Sequence, residues 1–173
     1  ARFEICGHRF LHVGEPGYGV AVSNDSTYGH DVSRRTRADG GTTTTVRESL
    51  LRAPLYPDPR ADQGRHVLRT TVRPGAGLAQ AVEEGYRTNL PLRYVAGDHP
   101  VAPLVTVSNP DVVVEAVKLA EDGSGDLVVR LYESLGGRAR ATVTATAEVG
   151  SVEATDLLER PLPEGAASDG PSI

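Results

Sequence analysis

The strongest constraint on this chain is its punctuation. Apolar runs are short, and glycine, proline or asparagine interrupts them every few residues. Phe3–His12 opens with alternating apolar and polar side chains. Tyr18–Ser23 is a second run, stopped by Asn24-Asp25, and His66–Val72 is a third, with Val67, Leu68 and Val72 spaced by arginine and threonine. Period-two alternation sends successive side chains to opposite faces of a pleated strand. Short runs of this kind, separated by turn residues, predict a sandwich or barrel. One segment changes period. Leu78, Val82, Tyr86 and Leu90 recur every four residues, which predicts a helix over 78–89 that Pro91 ends. Pro74, Gly75 and Gly77 mark the turn into it. Residues 93–103, with Gly97, Asp98, His99, Pro100 and Pro103, read as a connection.

Beyond that connection the strand signal returns with more valine. Val105–Ser108, Val112–Leu119, Leu127–Ser134, Arg138–Thr146 and Val149–Leu158 are each strand-like. Asp122-Gly-Ser-Gly-Asp126 and Gly136-Gly137 are turn sequences of the type that joins adjacent antiparallel strands. In Leu127–Glu133 the alternation puts Leu127, Val129 and Leu131 on one face and Val128, Arg130 and Tyr132 on the other. From Pro161 the sequence loses periodicity, and a mobile tail is expected.

Composition narrows the function classes. The chain has 173 residues, a formal charge of −5 and no basic stripe, so neither nucleic acid nor an anionic membrane is an expected partner. At this length roughly 70% of the unfolded surface can be buried, so a core is feasible without staples. The single cysteine, Cys6, has no internal partner for a disulfide, which allows a reducing compartment, and the cytoplasm is the expected location. No run of about 18 apolar residues predicts a transmembrane helix. The first residues resemble the middle of a strand and not a signal peptide, and the initiator methionine is missing. An excised piece of something longer is therefore expected. Lys118 is the sole lysine among 18 basic residues, a bias assigned to codon usage.

Several blocks resemble one family. They are Glu15-Pro-Gly-Tyr-Gly-Val20 with Asn24-Asp25 and Tyr28-Gly29, Leu50–His66, Ser108–Asp122, Arg130-Leu-Tyr-Glu133 and Leu157-Leu-Glu-Arg160. In this order and spacing, over roughly Phe3–Leu162, the chain resembles the C-terminal all-β part of family 38 glycoside hydrolases, the α-mannosidases. The resemblance implies that residues 1–97 are the last part of a β-supersandwich and residues 98–173 a small terminal β-sandwich. The expected fold class is thus mostly antiparallel β with one short helix. It implies a parent enzyme that hydrolyses terminal α-mannosides with retention, using a carboxylate pair about 5 Å apart and a divalent metal, zinc first among the candidates. Its catalytic aspartate and metal ligands belong to an upstream barrel, so no catalytic or metal-ligating residue is carried over. The upstream barrel of the same polypeptide is the expected partner, with a homo-oligomer as a further option. The chain departs from the family at Ser23, at Ser26-Thr27, where a basic residue is usual, and at Ser33–Thr45, which reads as a longer, more polar loop. The terminal strands that normally follow Leu157-Leu-Glu-Arg160 are also missing.

Among residues with chemical potential, the loop carrying Asn24, Asp25, Tyr28, His30 and Asp31 is the one the resemblance places toward the parent's pocket. Other candidates have simpler readings. His8 and His12 are four apart in a strand-like run, but a structural zinc site needs four ligands. Glu83-Glu84 read as a solvated helix face. Gly75-x-Gly77 lacks the third glycine of a dinucleotide loop, and Asp122–Asp126 lacks the distal glutamate of a calcium loop. Asn24-Asp-Ser26 is formally a glycosylation sequon. Asp58, Asp62 and His66 read as a stiff loop whose carboxylates cap backbone amides. The alternative to an accessory region is a stand-alone carbohydrate-binding or interaction module. The absence of tryptophan weighs against it, since sugar-binding faces stack aromatic rings.

Overall fold

The computed structural model describes residues 4–163. The chain forms two compact units, Ala1–Tyr94 and Val95–Ile173. Both are built from antiparallel strands, and the described residues contain one helix. That helix is not long and apolar enough to cross a membrane.

In the first unit, β1 (Ile5–Cys6), β4 (Gly29–Thr36) and β5 (Thr42–Glu48) form one sheet in the order β1-β4-β5. A second sheet has the order β2-β3-β6, from β2 (Phe10–Glu15), β3 (Tyr18–Asn24) and β6 (Thr70–Pro74). Helix α1 (Leu78–Asn89) packs against all three strands of the second sheet. The β4–β5 hairpin corrects the polar loop expected over Ser33–Thr45. Threonine is β-branched and pairs well on a pleated surface without apolar alternation, so the strands carry no hydrophobic signature. The third expected strand begins only at Thr70; residues 66–69 precede it without regular pairing. The first run also divides, since Arg9 turns the chain at φ 71° between β1 and β2.

Helix α1 occupies the span its periodicity predicts, but a different face is buried. Ala81, Val82 and Gly85 are covered, while Leu78 and Leu90 are 37% and 60% exposed. The register explains why. The sheet face beneath the helix carries Gly19, Ala21 and Ser23 from β3, opposite Gly14, His12 and Phe10 from β2. Small residues on both sides let the backbones approach, and Ala21, Ala76 and Ala81 form the buried cluster with Phe10 against it. Bulkier Leu78 and Leu90 are turned outward. Polar contacts complete the docking. Arg73 of β6 reaches Glu84 at 2.8 Å and Glu83 at 3.3 Å, and Arg87 binds the same two carboxylates. The helix start is half a capping box, with Gln80 Oε1 accepting the Gly77 N–H at 3.0 Å.

The opposite face of this sheet presents Leu11, Val13, Val20, Val22, Val72 and Tyr18, all placed there by the same register. Only Leu11 is buried; Val13, Val20 and Val22 are half-buried, and Tyr18 and Val72 are 55% and 60% exposed.

The described residues of the second unit hold two antiparallel strand pairs. β7 (Val105–Val107) pairs with β10 (Val143–Ala145), and β8 (Val112–Leu119) pairs with β9 (Leu127–Glu133). Residues 120–126 join β8 to β9, as the Asp122-Gly-Ser-Gly-Asp126 turn predicts. Gly136-Gly137 instead leads from one pair to the other, because β9 and β10 lie in different sheets. Arg138–Thr146 is extended only over β10, and Val149–Leu158 forms no strand, contributing one bridge between Thr155 and Pro161. A register shift between Val114 and Ala116 breaks the strict two-face alternation expected opposite β9. Chain pairing extends to Leu162, whose N–H donates to the Ala154 carbonyl at 2.9 Å. The rest of the expected mobile tail, 164–173, lies outside the described residues. Among the described residues of this unit none is fully buried.

Candidate functional site

The loop between β3 and β4 carries the five residues singled out above. Its geometry is fixed by Asn24 at the end of β3, 3% exposed, and His30 at the start of β4, wholly buried. Asn24 Oδ1 accepts the Thr27 N–H at 3.2 Å, which orients the amide. Nδ2 then donates to His30 Nε2 at 3.2 Å. An accepting Nε2 places the proton of a neutral ring on Nδ1, and Nδ1 donates to the Tyr28 carbonyl at 3.2 Å. That carbonyl also accepts the Gly7 N–H at 2.8 Å, tying the loop to the segment after β1. The helix reaches the same point, with Asn89 Nδ2 donating to the Asn24 carbonyl at 2.8 Å. Glu48 of β5 completes the frame by accepting from Thr27 Oγ1 at 2.7 Å and Thr70 Oγ1 at 2.8 Å.

With Asn24 and His30 held inside this frame, the outward groups are Asp25, Tyr28 and Asp31. Asp25 accepts the Arg69 N–H at 3.1 Å and the Ser26 hydroxyl at 2.9 Å. The Arg69 N–H, then Ser26, holds its carboxyl below the ordinary value of 3.8. Asp31 pairs with Arg47 at 2.6 Å. Tyr28 is 52% exposed, with its ring 5.2 Å from His8 in a tilted arrangement. It borders a shallow depression of about 250 Å³ whose other walls are Glu4, Ile5, Cys6 and Gly29. The loop therefore offers one aromatic ring and a neighbouring imidazole to solvent, with both of its carboxylates already engaged.

The remaining candidates resolve into structural roles. His12 lies apart from His8; its Nε2 is 2.9 Å from the Ala76 carbonyl. Among the described residues no three His, Cys, Asp or Glu side chains gather as a metal site. Asp58 and Asp62 accept backbone N–H groups of Arg60 and Ala53, at 2.9 and 3.1 Å, and His66 Nε2 lies 2.8 Å from the Asp62 carbonyl. Asp122 accepts the Ser124 N–H at 2.9 Å within the β8–β9 turn. The sole lysine, which no local pattern singles out for chemistry, anchors the second unit. Lys118 Nζ reaches Glu159 at 2.6 Å and Glu121 at 2.9 Å. Glu159 also accepts the Glu121 N–H at 2.8 Å and lies 3.7 Å from Arg130. One carboxylate thus ties together three separate sequence blocks, around Lys118, Arg130 and Leu157-Leu-Glu-Arg160.

Those blocks match known proteins. The model for the glycosyl hydrolases family 38 C-terminal domain matches residues 1–60, and that for the family 38 C-terminal beta sandwich domain matches residues 111–171. The chain belongs to the C-terminal region of glycosyl hydrolase family 38. It is 37% identical to human alpha-mannosidase 2C1 over 95% of its own length and 16% of that protein's. It is 31% identical to alpha-mannosidase G of Dictyostelium discoideum over 84% of its length and 13% of that protein's. With alpha-mannosidase of Saccharomyces cerevisiae the identity is 29%, over 92% of the chain and 16% of the relative. The chain thus spans about one sixth of the length of these curated relatives.

Proposed function

We propose that this chain is the C-terminal accessory β-region of a retaining, metal-dependent α-mannosidase acting on terminal α-mannosides in the cytoplasm. In this reading residues 1–97 end the parent's supersandwich and residues 98–173 form its small terminal sandwich. The observation that carries it is the open apolar face of the β2-β3-β6 sheet. A sheet with one face on a helix and Val13, Val20, Val22 and Val72 on the other is built to be covered on both sides. Covering such a side chain contributes about 1–2 kcal/mol. The relatives' extra length supports an upstream catalytic region of the same polypeptide as the cover.

The chemistry would reside in that upstream region. Glycoside hydrolysis by this route needs two positioned carboxyl groups, and a metal such as zinc would polarise the sugar oxygens. The described residues here do not fit a metal, so no catalytic step is assigned to them. The β3–β4 loop would lend Tyr28 to the rim of the pocket, with Asn24 and His30 holding its backbone and Asp25 and Asp31 fixing its flanks. In the longer polypeptide, Val72→Asp is expected to release this region from the catalytic part, seen as faster limited proteolysis and lower activity. Tyr28→Ala is expected to lower activity without that release. Wild-type proteolysis and activity in Val72→Asp would remove the support for the reading.

A further inference from the structure

Among the described residues no strand pairs with the outer edge of β5, and its backbone can be assigned residue by residue. Arg37 N–H donates to the Gly41 carbonyl at 2.7 Å, and Ser49 N–H donates to the Gly29 carbonyl at 2.9 Å. Hydrogen-bonded and non-hydrogen-bonded pairs alternate along an antiparallel ladder. The bonded pairs between those two ends are therefore Arg35–Thr43, Ser33–Thr45 and Asp31–Arg47. Thr42, Thr44, Val46 and Glu48 direct their N–H and C=O groups away from β4, and β5 is the last strand of its sheet.

Natural edges are blunted by proline, lysine, bulges or brevity. β5 has none of these. Its seven residues, Thr-Thr-Thr-Thr-Val-Arg-Glu, pair with β4 without a register shift, and Thr42–Thr45 are all exposed. From Gly40 to Val46 the segment carries no charge. It is also self-complementary. A two-fold axis at Thr45 sets Thr44 opposite Val46 of a second copy, Thr42 opposite Glu48, and Thr43 opposite Arg47. No like charges face each other, and all four outward-facing residues fall in hydrogen-bonded positions. Such a pairing makes about eight backbone hydrogen bonds, two per bonded pair.

We propose that β5 is a self-association edge: two copies of this chain join β5 to β5 antiparallel about Thr45, giving a continuous six-stranded sheet β1-β4-β5-β5-β4-β1. The interface is isologous, as two-fold symmetry requires. It is separate from the apolar face of the β2-β3-β6 sheet, so it stands or falls independently of the accessory role.

The register makes a sharp test possible, because Thr45 meets its own copy. The exposed, non-bonded contact at the axis tolerates a charge in the single chain, but like charges placed directly opposite one another repel. Sedimentation velocity is expected to show concentration-dependent dimers of the wild-type 173-residue chain. Thr45→Lys and Thr45→Glu alone are each expected to weaken dimerisation by at least about tenfold, with circular dichroism unchanged. Mixing the two variants in equal amounts restores a dimer. Val72→Lys, on the other sheet's open face, leaves it intact. In a Cys6→Ser background, Thr45→Cys forms a disulfide-linked dimer on mild oxidation, since facing non-bonded pairs bring Cα atoms to about 4.5 Å. A wild-type monomer at millimolar concentration overturns the proposal. So does a dimer abolished by Val72→Lys but untouched by Thr45→Lys, or a mixture of the charge variants that stays monomeric.

Discussion

Replacing Gly19 by alanine tests whether the helix–sheet core is as tight as the geometry implies. Gly19 sits near the start of β3 opposite Gly14, outside the positive-φ region, so backbone strain does not enter. An added Cβ would clash with the Ala76 carbonyl oxygen and lie 2.5 Å from His12 Nε2. The first contact is backbone and cannot rotate away. Overpacking of this kind costs about 1–3 kcal/mol. Moving His12 also forfeits its hydrogen bond to Ala76, about 1 kcal/mol. Against this, alanine reduces the entropy of the unfolded chain by about 0.4–1 kcal/mol. The net expectation is a loss of about 2 kcal/mol. Gly85 in α1 is the internal comparison. A Cβ there would meet Phe10 Cδ1 at 3.2 Å and Arg9 Cβ at 3.3 Å, side-chain contacts that need a shift of only a few tenths of an ångström. The helix would gain about 1 kcal/mol from alanine, so Gly85→Ala is expected within about 1 kcal/mol of wild type. Urea unfolding followed by circular dichroism reads both, with Gly19→Ala moving the midpoint down by about 1 M for an m-value near 2 kcal/mol/M. An unchanged or raised midpoint for Gly19→Ala, or a larger loss for Gly85→Ala, would refute the reasoning.

The Glu159 cluster predicts an acid limb. The Lys118 hydrogen bond, then the Glu121 N–H, holds the Glu159 carboxyl below its ordinary 4.5, and Arg160 does the same for Asp156 below 3.8. A carboxylate depressed on folding stabilises above its unfolded pKa, and that stability is lost as pH falls through the folded value. Melting temperature should therefore decline progressively below about pH 4.5 and decline less steeply in Glu159→Gln; identical acid slopes would contradict the cluster's role. Lys118, raised above 10.5 by Glu159 and then Glu121, contributes stability that disappears as pH climbs beyond that range. Ser23 is 1% exposed, and its hydroxyl has no hydrogen-bond partner among the described residues. Ser23→Ala removes a desolvated polar group and is expected to raise stability by about 1 kcal/mol; a loss of that size would mean the hydroxyl is satisfied after all.

What could be read from the sequence follows from which signals are local. The limits of α1 were legible because Gly77 and Pro91 bracket a clear period. Its buried face was not, because the small residues Gly19 and Ala21 that receive it belong to a different element. The β4–β5 hairpin escaped notice because threonine and arginine satisfy a ladder without writing an apolar alternation. Burial divides the residues that the sequence marked from Asn24 to Asp31 into internal anchors and exposed groups, a distinction that no local pattern records. Lys118 carried no local signal at all. Its partner Glu159 is 41 residues away, and only the fold reveals that the scattered family blocks meet on that carboxylate.

Under the accessory role proposed above, this region supports chemistry performed elsewhere in the polypeptide. The most direct measurement is hydrolysis of an aryl α-mannoside by the purified 173-residue chain, with and without added zinc, beside the longer polypeptide containing an upstream catalytic region. No turnover is expected from the chain alone, and turnover that chelation abolishes is expected from the longer polypeptide. Metal-dependent mannoside hydrolysis by the isolated chain would contradict that role.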